Sequence, residues 1–457
     1  MSVLSRYYFV FLIAYFLLQA GRFIFRESKD DAAAQPRGLW VITILLCLFA
    51  FPILAFDENL MSVDLQTLLF GGFVLLFIMA GPLLARKIYR RPCPIMAQVM
   101  FFLLAMGFIA IYRLDPALAA AQFIFAVLGF GASLFIPLVF RIFGQFEKLE
   151  KLFLIVCAGL IGIVFIADIL GSLIGIPLVS IDEFGAARWI SIFGVSFQPS
   201  QIAKPLFVIY LACAFRVRPT MGKLAFIGAA SAGIVGILVL QRDLGSALMF
   251  FTVFMVIFYT STGNKALFAG GFAAFAAASV VAYQLFPHLR IRVAAWSNPW
   301  PLVANEGFQL TQSLFAIATW GPFGAGLGRG MASRIPVVER DIIFSAISEE
   351  FGWIFGLLFI GLYAVLLLRG ADMARRAKRP LYALMTLGFT AFITFQAFVS
   401  IGGNIRLIPM TGITLPFVSY GGSSVFVSII MIGVLNWLNG QLKEEERKEG
   451  KKEVEEE

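Results

Sequence analysis

The stretch VVERDIIFSAISEEFGW, residues 337–353, joins a charged loop to an apolar helix. Arg340 and Asp341 stand where the helix begins, and Glu349 and Glu350 follow about two turns later. A carboxylate at a helix start is commonly a cap that the helix dipole stabilises. At a membrane surface the same Asp341 could act as a general base. Acids inside an apolar stretch are costly, so Glu349 and Glu350 are expected to be paired or functional.

Basic residues at the ends of apolar segments supply candidate anion-binding groups. Arg188 stands beside a tryptophan, and Lys204 falls one turn inside a predicted span, where a lone lysine is most simply an interface anchor. Arg242 lies in a tight turn next to Asp243, and the two charges could equally neutralise one another. Arg329 belongs to the run GAGLGRG. This run resembles a phosphate loop only weakly, but a flexible backbone beside an arginine could cradle an anionic lipid head group.

The composition indicates a membrane protein. Of the 457 residues, 60% are hydrophobic and 14% are charged, whereas soluble domains carry about 25% charged residues. The apolar runs are about 20 residues long and do not alternate in polarity, so we predict membrane-spanning helices and no soluble domain. With four cysteines and a single histidine, the chain shows neither metal-ligand spacing nor a disulfide pattern.

The positive charges are distributed in a way that sets the orientation of the chain. The net charge of +9 resides largely in short loops between predicted spans, which is the positive-inside pattern and argues against nucleic acid as a partner. It places the amino terminus outside and the carboxyl terminus in the cytoplasm. The tail, KEEERKEGKKEVEEE, has mixed charge and no apolar periodicity, so we expect residues 441–457 to be disordered.

The apolar runs predict about thirteen spans. They cover residues 7–25, 39–56, 66–85, 95–112, 118–140, 152–175, 200–216, 223–241, 245–261, 265–286, 346–368, 381–401 and 417–438. Two long loops, 175–199 and 287–345, fall on the outer side, where long loops usually carry function. Within the second, residues 306–318 predict an amphipathic helix with Ser313 on its polar face. That helix could lie in the membrane interface or pack on the protein.

Five motifs give the chain a family resemblance. In order they are FQPSQIAK, QRDLGSALMFF, EGFQLTQSLFAIATWGPFGAGLGRG, ERDIIFSAISEEFG and PMTGITLPFVSYGGSS. This order resembles the SEDS family of RodA, FtsW and SpoVE over roughly residues 95–438. The resemblance implies an all-α polytopic membrane protein with a core of about ten transmembrane helices, residues 95–440, and a long extracytoplasmic loop before the eleventh predicted span. Residues 1–94, with about three extra helices, precede that core.

The resemblance also implies a peptidoglycan glycosyltransferase that polymerises lipid II, an undecaprenyl-pyrophosphate-linked disaccharide-pentapeptide, at the outer face of the bacterial cytoplasmic membrane. Asp341 aligns with the family's catalytic aspartate and would take the proton of the attacking sugar hydroxyl. Candidate substrate-binding residues are Arg188, Lys204, Arg242, Arg329, Glu349, Ser419, Gly421 and Ser423. The implied partners are membrane lipid and a class B penicillin-binding protein, which is a transpeptidase. The sequence contains no recognisable cofactor motif, although a divalent cation could bind near the pyrophosphate of the substrate.

The sequence departs from the family pattern at two positions near these motifs. Gln201 stands where the family has a glutamate, so a charged role at that position is in doubt. Arg340 replaces a threonine and could pair with Asp341, which would lower the pKa of that carboxyl. Two other functions remain open: a flippase for the lipid-linked precursor, which would need polar groups through the bilayer, and a scaffold that only holds partners.

Overall fold

The computed structural model describes residues 2–26, 37–57, 62–89, 91–174, 180–181, 187–192 and 195–456, and these form a helical bundle. The helices are α1 (Ser2–Arg26), α2 (Arg37–Ala55), α3 (Leu65–Tyr89), α4 (Pro94–Leu114), α5 (Pro116–Leu134), α6 (Ile136–Ile142), α7 (Glu150–Ile174), α8 (Pro199–Phe215), α9 (Met221–Leu240), α10 (Leu244–Thr262), α11 (Lys265–Leu285), α12 (Pro287–Ser297), α13 (Phe308–Thr319), α14 (Ile343–Phe351), α15 (Trp353–Arg376), α16 (Pro380–Asn404) and α17 (Gly422–Glu456). Short 3₁₀ turns cover Phe146–Leu149, Trp300–Leu302 and Ala332–Arg334.

Two small antiparallel sheets lie in the loops. A two-stranded sheet pairs β1 (Phe56–Asp57) with β2 (Ser62–Val63). A three-stranded sheet has the order β3 (Ser180–Ile181), β4 (Ala187–Ile192), β5 (Val195–Phe197) and leads into α8. These sheets are too small to change the fold class, which is all-α as the sequence predicts.

Local capping explains where several helices begin. The Asp115 carboxylate accepts hydrogen bonds from the backbone N–H groups of Ala117 and Leu118, which caps α5. The carboxylate of Asp243 accepts from the Ser246 N–H and caps α10 in the same way. The turn that carries Arg242 and Asp243 is therefore the start of α10, and the Asp243 carboxylate binds a backbone N–H of that helix.

Eleven helical segments of the described chain are long and apolar enough to cross a membrane, and α8 is a shorter apolar helix. Each span predicted from the sequence overlaps a helix, so the protein is multi-pass, while the number of helices that cross the bilayer remains a prediction. One predicted span is wrong in form. Residues 346–368 do not form one helix, because the chain breaks at Gly352, which adopts φ 90° between α14 and α15.

The core is centred on α4, of which 94% of the membrane-length window is buried. Gly107 on α4 faces the backbone of Phe417 and Val418, and an added Cβ there would meet the carbonyl oxygen of Phe417 at 2.8 Å. The loop before α17 therefore rests directly on the central helix. By contrast, only 6% of the corresponding window of α11 is buried, as suits a helix that faces lipid.

The N-terminal helices pack onto this core. α1 packs along α15, and its Phe9 ring lies edge-on to the ring of Phe351, the last residue of α14, at 5.1 Å. The ring of Tyr7 lies 4.7 Å from that of Phe323. The division of the chain at residue 94 stays a prediction.

The C-terminal segment differs from the sequence-based expectation of a disordered tail. Helix α17 continues to Glu456. Opposite charges stabilise the extension, because Arg379 Nε lies 3.0 Å from a carboxylate oxygen of Glu445 and Lys448 pairs with Glu444 one turn away. Mixed charge at helical spacing thus favours a helix here.

Candidate active site

Asp341 lies at the junction between a turn and α14. The next two residues, Ile342 and Ile343, are fully buried, whereas Asp341 is partly exposed. The Asp341 carbonyl accepts a 2.7 Å hydrogen bond from the side-chain amide of Asn404, at the end of α16. The carboxylate therefore projects from a backbone that is held on both sides.

Arg340 joins this turn to the loop before α17. Its guanidinium lies over the ring of Tyr420, 5.6 Å from the centroid, and the N–H of Tyr420 donates to the carbonyl of Glu339 at 2.8 Å. The described contact of the Arg340 guanidinium is with this aromatic ring, and its pairing with Asp341 stays a prediction. The two motifs ERDIIF and SYGGSS thus meet in space.

The glycine-rich run is not an open phosphate loop, because its N–H groups already bind acids of α14. The carboxylate of Glu350 accepts from the N–H groups of Gly328 and Gly330, at 3.1 and 3.3 Å, and Glu349 accepts from the N–H of Met331 at 2.9 Å. These N–H groups are therefore engaged within the protein, and binding of a lipid head group beside Arg329 stays a prediction. The exposed Arg329 sits at the turn of this fastened loop.

Two glycines allow the loop to approach α14. Gly324 and Gly352 both have positive φ, and a side chain on either would overlap the backbone of the other segment. The N–H of Ala325 and the N–H of Gly326 then donate to the carbonyls of Glu349 and Glu350. The loop therefore satisfies the free carbonyls at the end of α14.

Arg113, at the end of α4, closes the same cluster. Its Nε lies 3.3 Å from Glu350, and its Nη2 donates to the carbonyls of Gly328 and Gly330 at 2.9 and 3.2 Å. Burial raises the pKa of the Glu350 carboxyl to about 7, although Arg113 and the loop amides favour its charged form. Glu350 can thus change protonation near neutral pH.

Lys204 is not an interface anchor. It is fully buried, and its ammonium donates to the side-chain oxygens of Gln201 and Gln396, each at 2.7 Å. The Asp243 carboxylate lies close enough to attract it. An ammonium has three N–H donors, and two of those of Lys204 bind these glutamines. Gln201, which replaces the expected glutamate, acts here as a neutral acceptor.

The SYGGSS motif is tied to α5 by an amide that the sequence analysis missed. The buried Gln122 donates to the carbonyl of Ser419 and accepts from the N–H of Gly421. The Ser419 hydroxyl accepts from the N–H of Leu415. Ser423 lies nearer the Lys204 cluster, because its hydroxyl accepts from the N–H of Gln198 at 3.3 Å. A lone glutamine in an apolar span was the available signal.

For the two remaining predicted residues, Arg188 and Arg242, the described contacts do not include the other site residues. Arg188 lies in β4, and its side chain is outside the described residues. Arg242 is exposed at φ 62°. In the described ranges, no group of three or more His, Cys, Asp or Glu residues could hold a metal ion, so the divalent cation that the pyrophosphate allowed has no assigned site.

The helix predicted within residues 306–318 is confirmed as α13. Its packing on the protein is the interpretation that holds, since α13 contacts α14 and buries Leu310, Thr311 and Ser313. The assignment of Ser313 to a polar outer face is wrong. Its hydroxyl donates to the carbonyl of Asn404 at 2.8 Å.

The fold and these contacts define a class: a multi-pass helical membrane protein with a partly exposed acid, Asp341, at the start of α14. The family model described as "Cell cycle protein", for FtsW, RodA and SpoVE, matches residues 91–444. The chain belongs to this family.

Named relatives support the assignment. The protein named peptidoglycan glycosyltransferase RodA of Mycobacterium tuberculosis is 31% identical, over 75% of this chain and 76% of its own. A probable peptidoglycan glycosyltransferase FtsW of Enterococcus hirae is 33% identical, over 73% and 86%. A solved chain from a peptidoglycan synthase complex, described as coordinating polymerization and crosslinking, has a TM-score of 0.61 at 26% identity and covers 75% of this chain and 96% of that one.

Proposed function

We propose that the protein is a peptidoglycan glycosyltransferase that polymerises lipid II at the outer face of the cytoplasmic membrane. Membership of a family with relatives named for this activity supports the reaction class. The observation that carries the site assignment is the position of Asp341, a partly exposed carboxylate on a fixed backbone at the start of α14.

In the proposed reaction, Asp341 takes the proton of the acceptor sugar hydroxyl as its oxygen attacks the donor anomeric carbon. A new carbon–oxygen bond forms, and the bond from that carbon to the lipid pyrophosphate breaks. The pyrophosphate leaves with the bonding electrons and needs positive charge nearby.

The candidate cations divide by their surroundings. Arg329 is exposed on a fastened loop and Arg242 is exposed at a helix start, so either could contact the pyrophosphate directly. Lys204 is fully buried and uses two donors on buried amides, so it would stabilise the pyrophosphate charge from inside the protein. Glu349, Ser419 and Gly421 bond to protein groups and would shape the site, while Ser423 lies beside the Lys204 cluster.

A class B penicillin-binding protein is the partner we propose, because a similar chain comes from a complex that couples polymerization to crosslinking. The proposed orientation, with the amino terminus outside and the carboxyl terminus in the cytoplasm, follows from the basic loops.

The test is a polymerisation assay with purified protein and labelled lipid II, with and without such a transpeptidase. Wild type should make glycan strands and Asp341→Asn should not. Asp115→Asn is the matched control, because asparagine also caps helices well, and it should retain activity. Undiminished polymer from Asp341→Asn would overturn the assignment, and translocation of lipid II without polymer would support the flippase instead.

A further inference from the structure

A buried asparagine at the end of α16 holds the backbone from which Asp341 projects. Asn404 is 1% exposed. Its side-chain N–H₂ group donates to the Asp341 carbonyl at 2.7 Å and to the Ser400 carbonyl, one turn back in its own helix, at 2.8 Å. Both amide donors are therefore used, and one of them reaches across to the turn before α14.

Two buried serines keep the Asn404 amide in this orientation. The Ser345 hydroxyl on α14 lies 3.2 Å from Asn404 Oδ1, and the Ser313 hydroxyl on α13 lies 2.8 Å from the Asn404 carbonyl oxygen. The two hydroxyl oxygens lie 2.6 Å apart, and either can donate to the other. Each hydroxyl carries one proton, so two protons are shared among these three contacts. Three helices thus meet in one buried polar cluster.

The backbone on which the cluster acts is also held on its loop side, where the Asp341 N–H donates to the Val337 carbonyl at 3.4 Å and the Tyr420 N–H donates to the Glu339 carbonyl at 2.8 Å. Asp341 lies outside the regular hydrogen bonding of α14, which begins at Ile343. On the helix side the buried Ile342 anchors the chain, and the described contact that holds the Asp341 carbonyl is the one from Asn404. Loss of this bond would let the carboxylate shift without unfolding the bundle.

We propose that Asn404 is a positioning residue that fixes the Asp341 carboxylate for proton transfer, with Ser345 and Ser313 as its supports. This inference rests on the proposed role of Asp341. Asn404 does not touch substrate in this scheme. It acts through the Asp341 backbone, where a displacement of about 1 Å in a reacting group can lower the rate about 100-fold.

The test compares Asn404→Asp and Asn404→Ala with Ser400→Ala. Asn404→Asp keeps the size and replaces the donor by an acceptor. The Ser400 hydroxyl is 4% exposed by residue and has no hydrogen-bond partner within the described residues, so its removal is the control. Per folded protein, both Asn404 variants should lose about 10- to 100-fold in kcat while KM for lipid II stays within about twofold, and Ser400→Ala should match wild type.

A second measurement does not depend on catalysis. The four native cysteines are buried, so Asp341→Cys introduces an accessible thiol whose rate of maleimide labelling reports the mobility of this site. That rate should rise several-fold when Asn404→Ala is added and stay unchanged with Ser400→Ala.

The outcomes separate the two proposals. If Asp341→Asn is inactive but the Asn404 variants keep wild-type kcat and labelling rate, the positioning role is overturned and the proposed function stands. If Asp341→Asn polymerises normally, the proposed base is wrong, and the labelling result then reports only on the backbone contact.

Discussion

The guanidinium of Arg113 lies 3.3 Å from the carboxylate of Glu350, although 237 positions separate them in the chain. The pair joins α4 to the end of α14 and clasps the glycine-rich loop between them, because both residues also bond to the backbone of that loop. The loop that carries Arg329 is therefore held by this ion pair and by the hydrogen bonds of both side chains to its backbone.

Removal of Arg113 should leave a buried acid without its cation. We expect Arg113→Ala to destabilise the protein by about 3 kcal/mol at pH 8, the low end for a buried pair, since the Arg113 side chain is 26% exposed. The double variant with Glu350→Gln should recover part of this loss. Thermal unfolding in detergent measures both, and strictly additive effects would contradict the pairing.

The stability of the protein should depend on pH through Glu350. Its pKa is raised from 4.5 to about 7 in the folded protein, so the folded state binds more protons than the unfolded state between these values. The free energy of unfolding should therefore rise as pH falls from about 7 to about 4.5, by roughly 3 kcal/mol at most. The difference in Tm between wild type and Glu350→Gln across pH 5–8 isolates this group, and a constant difference would refute it.

Side chains should not be tolerated where the loop crosses the helix break. Gly352→Ala would place a Cβ against the carbonyl of Pro322 at a φ that suits glycine, and we expect a loss of at least about 2 kcal/mol. Gly131→Ala is the control, because its Cβ would meet nothing within 4 Å. Equal Tm values for the two variants would contradict the packing at Gly352.

The stacking of Arg340 on Tyr420 should contribute modestly to stability and join the two motifs. Tyr420→Ala is expected to lose about 0.5–1 kcal/mol of cation–π energy in addition to its packing, while Tyr420→Phe keeps the ring. Arg340→Met tests the same contact from the other side. In a double-mutant cycle of Tm values, a coupling near zero would count against it.

The buried ammonium of Lys204 should be needed for both folding and polymerisation. Lys204→Met leaves the oxygens of Gln201 and Gln396 without a donor, which should cost about 2 kcal/mol. Lys223→Met is the control, since Lys223 forms an exposed pair with Glu150 and should change stability by less than about 1 kcal/mol. Equal glycan yields from the two purified variants would contradict a role for Lys204 in the site.

The sequence predicts most of the helices because apolar length alone demands them in a bilayer. It does not predict the break at Gly352, since the apolar run continues unchanged on both sides and the turn depends on a distant backbone at Gly324. Attention to charges singles out Asp341 and Lys204 as candidates, and the structure shows that neutral amides bind both of them. Gln122 and Asn404 stand out in the sequence as polar residues within apolar helices. Their partners lie far along the chain, so the sequence does not reveal what they bind.

The ring contact between Phe9 and Phe351 has a practical consequence. A shortened version that starts at residue 91, where the family match begins, would lack α1 and would expose the sides of Phe351 and Phe323 that Phe9 and Tyr7 cover. Such a shortened protein should aggregate or lose activity even though every recognisable motif is intact. The N-terminal helices thus stabilise the core, although they lie outside the aligned region.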